Sequence, residues 1–159
     1  MEHTDLDELW MLVSPNNPLK PAGQLAPEEE RLAAVREAVK EIPGVIVSDF
    51  EFSLPRPSYT ANTLRALQAA YPEHEFTLII GEDNIAIFDQ WREYTYILEN
   101  FRIFVYPRVT NERMEELTNE GMKELTDNRF PNAKNLVFLA NAPLFDISST
   151  AIRRSQGRP

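Results

Sequence analysis

The 159-residue chain reads as an α/β domain built on a parallel sheet with helices covering both faces. Three observations lead there. The strand-like segments are continuous apolar runs rather than apolar–polar alternations, which is the pattern of strands buried on both sides. Segments with helical spacing stand between those runs. Polar clusters follow directly on the strand ends, at Ser14, Gly81 and Pro107, and open parallel sheets bind ligands beyond the carboxyl ends of their strands.

Residues 9–13 (LWMLV) form the first apolar run, stopped by the turn-rich SPNNP at 14–18. Pro27 followed by Glu28, Glu29 and Glu30 marks a helix start, where the missing N–H is harmless and the dipole favours negative charge. Leu32, Val35, Val39 and Ile42 then recur at helical spacing and predict one buried face up to a stop at Pro43-Gly44. Residues 45–52, rich in branched and aromatic side chains, predict the second strand. After the loop at 55–57, Leu64, Leu67 and Tyr71 predict a helix ending at Pro72. Residues 76–80 predict a third strand that stops at Gly81. Short helical regions are expected around Phe88 and Trp91 and over 94–98, and the last strands over 101–106 and 136–139. The stretch 111–127 is the most polar, so 111–133 reads as a peripheral helical insertion in an otherwise single domain. Residues 147–153 read as a loop feeding a helix start.

Composition narrows the function. Apolar residues make up 43% of the chain, enough for one core and too little for two. With 16 basic against 25 acidic residues the formal charge is −9, which argues against binding a long nucleic-acid backbone. A small anion remains open to it, held by a few focused basic groups and helix N-termini. The absence of cysteine excludes disulfides, thiolate metal sites and cysteine nucleophiles. No run of apolar residues is long enough to predict a membrane span, and residues 1–7 show no secretory pattern, so a cytoplasmic location is expected. His3 and His74 are isolated among acidic or polar neighbours and read as exposed residues with no catalytic task.

Four local patterns bear on chemistry. In 147–153 (ISSTAIR), tandem hydroxyls suit a helix N-cap and Arg153 lies one turn inside, able to reach back to an anion. An ordinary capped helix with an exposed arginine has the same pattern. Residues 57–64 (PSYTANTL) form a second loop-to-helix junction, with Arg56 and Arg65 nearby. In 81–84 (GEDN), glycine lets a ligand approach the backbone and a carboxylate can accept from ribose hydroxyls. Trp91 offers an indole plane for a flat ring, although a partly buried core tryptophan fits the same spacing. Asn16, Asn17, Lys20 and Arg108 add donors after the first and fourth strands. Together these suggest a polyanionic ligand carrying a planar ring.

Taken in order, residues 9–20 (LWMLVSPNNPLK), the helix around Arg31-Leu32, 48–52 (SDFEF), 58–64 (SYTANTL), 76–83 (FTLIIGED), Trp91, 105–108 (VYPR) and 147–153 (ISSTAIR) resemble the bacterial nicotinate-nucleotide adenylyltransferases. The resemblance spans nearly the whole chain outside 111–133. It implies a Rossmann-like open parallel sheet with helices on both faces. It also implies transfer of AMP from ATP to nicotinate mononucleotide, giving deamido-NAD and pyrophosphate in NAD biosynthesis, with Mg²⁺ as metal. The mononucleotide phosphate would attack the α-phosphorus directly, so the protein would position groups and neutralise charge. By motif, Ser148, Ser149, Thr150 and Arg153 would hold ATP phosphates, and Gly81 and Asp83 would contact ribose. Tyr59 and Thr60 would recognise the nicotinate carboxylate largely through backbone N–H groups, with Trp91 stacked on the pyridine. Lys20 and Arg108 would approach the substrate phosphate.

The resemblance has one departure. Family members carry a segment of the form G-x-F-[DN]-P-x-H-x-G-H, whose two histidines bind the ATP phosphates, and no stretch of this chain matches it. The expectation is that the chain begins after the family's first, central strand and stops before its closing C-terminal helix, with no catalytic residue assigned within it. Two readings follow: an adenylyltransferase whose phosphate-binding histidines lie outside these residues, or a non-catalytic nucleotide-binding remnant or fragment of that enzyme. A purely structural α/β interaction module would leave the ordered motifs to coincidence.

Overall fold

Every strand pairing among the described residues is parallel, and parallel neighbours need a crossover between them, which helices supply between the first and second strands and between the third and fourth. The structure, a computed structural model, describes residues 4–15, 27–107, 128–130 and 133–139. The elements are β1 (Leu9–Leu12), α1 (Glu28–Val39), β2 (Val45–Ser48), α2 (Thr60–Ala70), β3 (Thr77–Gly81), α3 (Glu82–Ile85), α4 (Tyr94–Asn100), β4 (Arg102–Tyr106) and β5 (Leu136–Phe138). This is the parallel α/β architecture that the apolar runs predict, and it agrees with the Rossmann-like fold that the resemblance implies. No helix among the described residues is long and apolar enough to cross a membrane.

The strands fall into a sheet of β1-β2 and a sheet of β3-β4-β5. The described residues up to Glu75, joined by Trp91–Glu93, form one compact unit, and the others from Phe76 onward form a second.

In the first unit, β1 and β2 run in register from Leu9↔Val45 to Leu12↔Ser48. Pro27 precedes α1 and its carbonyl accepts from the Arg31 N–H at 3.1 Å. Arg31 also donates to the carbonyls of Ser14 (2.7 Å) and Pro15 (3.1 Å), tying α1 to the carboxyl end of β1. Leu32 is 3% exposed, whereas Ile42, expected on the buried face, is 51% exposed. The helix has already ended at Val39, and Ile42 sits in the turn that follows, its N–H bonded to the Val39 carbonyl at 2.9 Å. Gly44, at φ 76°, completes that turn in the left-handed region, which suits glycine, and its carbonyl accepts from the Leu9 N–H at 2.8 Å.

The second strand is also shorter than expected, stopping at Ser48 rather than Phe52. Phe50–Ser53 form a 3-10 turn instead. The Ser48 hydroxyl accepts from the Phe50 N–H at 3.2 Å and the Asp49 carbonyl from the Phe52 N–H at 2.8 Å. Such local bonds offer the backbone an alternative to the ladder, and here they win over β-propensity. His74 lies in an aromatic group with Trp10 and Tyr71, ring centroids 5.8 and 5.6 Å away.

In the second unit, β4 pairs with β3 on one side and β5 on the other. Ile103, Phe104 and Val105 of β4 are accordingly buried, with Phe88, Ile97, Phe101 and Phe130. Phe130 meets Phe88 edge-on at 6.1 Å. Arg129 donates to the Ala86 carbonyl (2.6 Å) and to Asp89 (2.8 Å). Residues 128–130, at the end of the expected insertion, are thus tied into this unit. Positions 111–127 and 131–132 lie outside the described residues.

The two aliphatic positions of the α1 region give a test of this arrangement by urea unfolding. Leu32→Ala should cost about 2–5 kcal/mol. Ile42→Ala should stay within about 0.5 kcal/mol of the parent. Equal losses at both would contradict the early end of α1.

Candidate functional site

The start of α2 is built from its own backbone and one buried acid. Tyr59, the N-cap, is extended, and its carbonyl accepts from the N–H groups of Asn62 (3.0 Å) and Thr63 (3.1 Å). No side chain caps the helix, so the N–H groups of Thr60 and Ala61, ahead of the two bonded to the Tyr59 carbonyl, are not taken up by a capping side chain. Glu51 is 7% exposed, and its Oε1 accepts from the Thr63 hydroxyl at 2.8 Å. Its other oxygen and the Ser58 hydroxyl are buried without a hydrogen-bond partner among the described residues. The arrangement presents backbone donors at a helix start, a setting suited to a carboxylate or phosphate.

Trp91 comes to the same unit from later in the chain. It follows the 3-10 turn Phe88–Gln90 rather than lying within the short helical region that the sequence predicts, and is half-buried. Its neighbours attach it to α2. The Arg92 guanidinium lies over the Tyr59 ring at 4.8 Å, a cation–π contact. Glu93 accepts two hydrogen bonds from Arg65, at 2.6 and 3.1 Å, the bidentate geometry favoured by guanidinium and carboxylate. Glu93 is also the one described residue other than glycine with a positive φ, 56°. Hydrogen bonding from Arg65 holds the Glu93 carboxyl below its ordinary pKa. Burial opposes this, and the charges of Arg65 and then Arg92 add to the lowering.

Tyr59, Thr60 and Trp91, which sequence reasoning assigned to one ring-bearing ligand, thus share a unit. Gly81 and Asp83 belong to the other. Gly81 ends β3 opposite Tyr106 and precedes the single turn of α3, where a polar loop was expected. Its φ of −77° is ordinary extended backbone, so conformation does not demand glycine there. Asp83 is exposed, and its Oδ1 accepts from Asn84 at 3.4 Å. Asn16, Asn17, Lys20, Arg108, Ser148, Ser149, Thr150 and Arg153 lie outside the described residues. Sequence reasoning missed Glu51, Arg92 and Glu93. Glu51 stands inside SDFEF, but its burial follows from the unforeseen 3-10 turn. Arg92 and Glu93 read as surface charges until the fold brings α2 to them.

A parallel α/β chain with helix-start donors and an aromatic beside them has the architecture of a nucleotide-handling protein. The cytidylyltransferase-like family model matches residues 1–155, and the chain belongs to that nucleotidyltransferase family. Among its relatives, one from Flavobacterium psychrophilum, named a probable nicotinate-nucleotide adenylyltransferase, is 41% identical over 97% of this chain and 73% of its own length. A protein of the same name from Bacteroides thetaiotaomicron is 44% identical over 97% of this chain and 69% of its own length. Another from Cytophaga hutchinsonii is 41% identical over 96% and 71% respectively. The resemblance drawn from the ordered motifs therefore extends along nearly the whole chain.

The Arg65–Glu93 pair yields a measurable titration. A depressed folded-state pKa means that the pair's contribution is present above the ordinary glutamate value of about 4.3 and is lost as pH falls through the lowered one. Arg65→Leu should move the Glu93 midpoint upward, toward the ordinary value, in a carboxyl-carbon NMR titration. An unmoved midpoint would show that Arg65 is not the cause.

Proposed function

We propose that the protein is a nicotinate-nucleotide adenylyltransferase, moving AMP from ATP to nicotinate mononucleotide to give deamido-NAD and pyrophosphate in NAD biosynthesis. The observation that carries this reading is the shared name of relatives 41–44% identical over nearly the whole chain. The meeting of the α2 start with the Trp91 segment supports it. An oxygen of the mononucleotide phosphate forms a bond to the α-phosphorus of ATP while the bond to the bridging oxygen breaks and pyrophosphate leaves. No enzyme nucleophile takes part, so the protein's tasks are alignment and charge neutralisation.

The N–H groups at Tyr59 and Thr60 receive the nicotinate carboxylate, and the indole of Trp91 stacks on the pyridine. Gly81 and Asp83 contact a ribose. Ser148, Ser149, Thr150 and Arg153 hold ATP phosphates, and Lys20 and Arg108 approach the phosphate of the mononucleotide. Mg²⁺ fits this chemistry as a companion of ATP, since it is bound largely through substrate phosphates and water. A cytoplasmic location follows from this metabolic role.

The second reading, binding without catalysis, is favoured by one observation. The only histidine of the described residues, His74, stands in the Trp10–Tyr71 aromatic group rather than in a phosphate-binding pair. For these 159 residues by themselves the expected adenylyl transfer is negligible, and steady pyrophosphate release from ATP and nicotinate mononucleotide would refute that expectation.

Binding is tested separately. Nicotinate mononucleotide should quench tryptophan fluorescence saturably, and Trp91→Ala should weaken its affinity by about tenfold. Unchanged affinity in Trp91→Ala would remove the stacking assignment.

A further inference from the structure

We propose that Arg65 and Glu93 are positioning residues that set Trp91 against the start of α2, so that an ion pair determines where the aromatic wall of the pyridine pocket stands. The inference rests on the nicotinate-nucleotide reading of that pocket.

Three features of the segment point the same way. First, Trp91–Glu93 is a short stretch whose neighbours on both sides, Phe76–Gln90 and the residues from Tyr94, belong to the second unit. Of the three, Arg92 and Glu93 are exposed, so any apolar packing is left to the half-buried Trp91. Second, both residues that follow Trp91 are attached to α2 or its cap. Arg92 lies over the Tyr59 ring at 4.8 Å. Glu93 receives the two N–H groups of Arg65 at 3.1 and 2.6 Å. Third, Glu93 holds a left-handed backbone at φ 56°, which is costly for a residue with a Cβ and persists where surrounding contacts over-determine it.

The geometry explains why an ion pair serves here. Arg65 follows Thr60 by five residues on α2, so it lies on the helix whose first turn carries the backbone donors. A bidentate guanidinium–carboxylate pair fixes orientation as well as distance. Its side chains are 38% and 43% exposed, and a pair that open adds little to folding. The pair therefore acts on placement of the indole rather than on global stability. It touches neither reacting atom, and its effect on the ligand passes through Trp91.

The experiment uses the full chain in a Trp10→Phe background, so that Trp91 alone reports. Nicotinate mononucleotide affinity, ATP affinity, acrylamide quenching of the free protein and the melting temperature are measured for Arg65→Leu, Glu93→Gln, Glu93→Gly and the charge-exchanged double variant Arg65→Glu with Glu93→Arg. Each single variant is expected to weaken mononucleotide binding by about fivefold and to raise acrylamide quenching. ATP affinity and melting temperature should stay near the parent, and the exchanged pair should recover most of the loss. Glu93→Gly separates the two properties of Glu93, because it relieves the left-handed backbone while removing the carboxylate. Parent-like mononucleotide binding in Glu93→Gly, or in Arg65→Leu, overturns the proposal. An equal fall in ATP affinity and melting temperature also overturns it, since that is the signature of a structural role. If the parent itself does not bind the mononucleotide, the functional reading fails. Acrylamide quenching then still decides whether the pair places Trp91: increased quenching in the variants supports placement, and unchanged quenching rejects it.

Discussion

Because the Tyr59 carbonyl already accepts from the N–H groups of Asn62 and Thr63, and because Thr63 is held from the other side by the buried Glu51 carboxylate, the first turn of α2 is fixed in place before any ligand arrives. The Thr63 hydroxyl also lies 3.3 Å from the Tyr59 carbonyl, but it has a single proton, and the 2.8 Å contact to Glu51 is the stronger claim on it. A buried carboxylate with one oxygen lacking a hydrogen bond among the described residues is expensive. That cost suits a group that positions something. The position of the Tyr59 ring, the face on which Arg65 emerges and the point where the Trp91 segment can attach all follow from this one helix start.

The acidic balance of the chain acquires a structural meaning beside this helix. With a formal charge of −9, attraction of an anion depends on local donors. Most described arginines are engaged internally: Arg31 with two carbonyls, Arg36 with Asp49, Arg56 with Glu28, Arg65 with Glu93, Arg92 with the Tyr59 ring and Arg129 with Asp89. In the first unit this leaves the meeting of any carboxylate to backbone N–H groups, and the first turn of α2 carries no acidic residue of its own. A backbone donor pair is also stiffer than a long basic side chain, which favours a planar carboxylate held at a defined angle over a diffuse ion cloud.

Much of this was legible in the sequence, for identifiable reasons. Residues 76–80 and 101–106 are apolar apart from Thr77 and Arg102, so β3 and β4 could be found from composition alone. Pro27 with three glutamates marks the start of α1, and Pro72 the end of α2. Errors fell where local hydrogen bonding competes with pattern. Ile42 continues the spacing of Leu32, Val35 and Val39, but spacing carries no information about where the helix stops, and the Gly44 turn decides that. Phe50 and Phe52 look like strand residues, yet Ser48 and Asp49 bend the chain first. Tyr59, Thr60 and Trp91 were grouped by motif. The contacts that join them, Arg65–Glu93 and Arg92–Tyr59, cross 28 and 33 residues of sequence, and no local signal marks such pairs.

An ion pair beside an aromatic wall follows from competing demands on one small surface. On the proposed reading the indole offers a face to a flat ring, so its segment stays short of full burial, and Trp91 is half-buried. An open segment, however, wanders unless something directional restrains it, and dispersion contacts are not directional. A guanidinium–carboxylate pair restrains orientation while staying at the rim, and a cation over the Tyr59 ring adds a second point of attachment at the start of the same helix. The left-handed backbone at Glu93 is then the local cost of aiming the carboxylate back toward Arg65. Stability and placement are separable here, because exposure makes the pair weak in the first role without making it imprecise in the second.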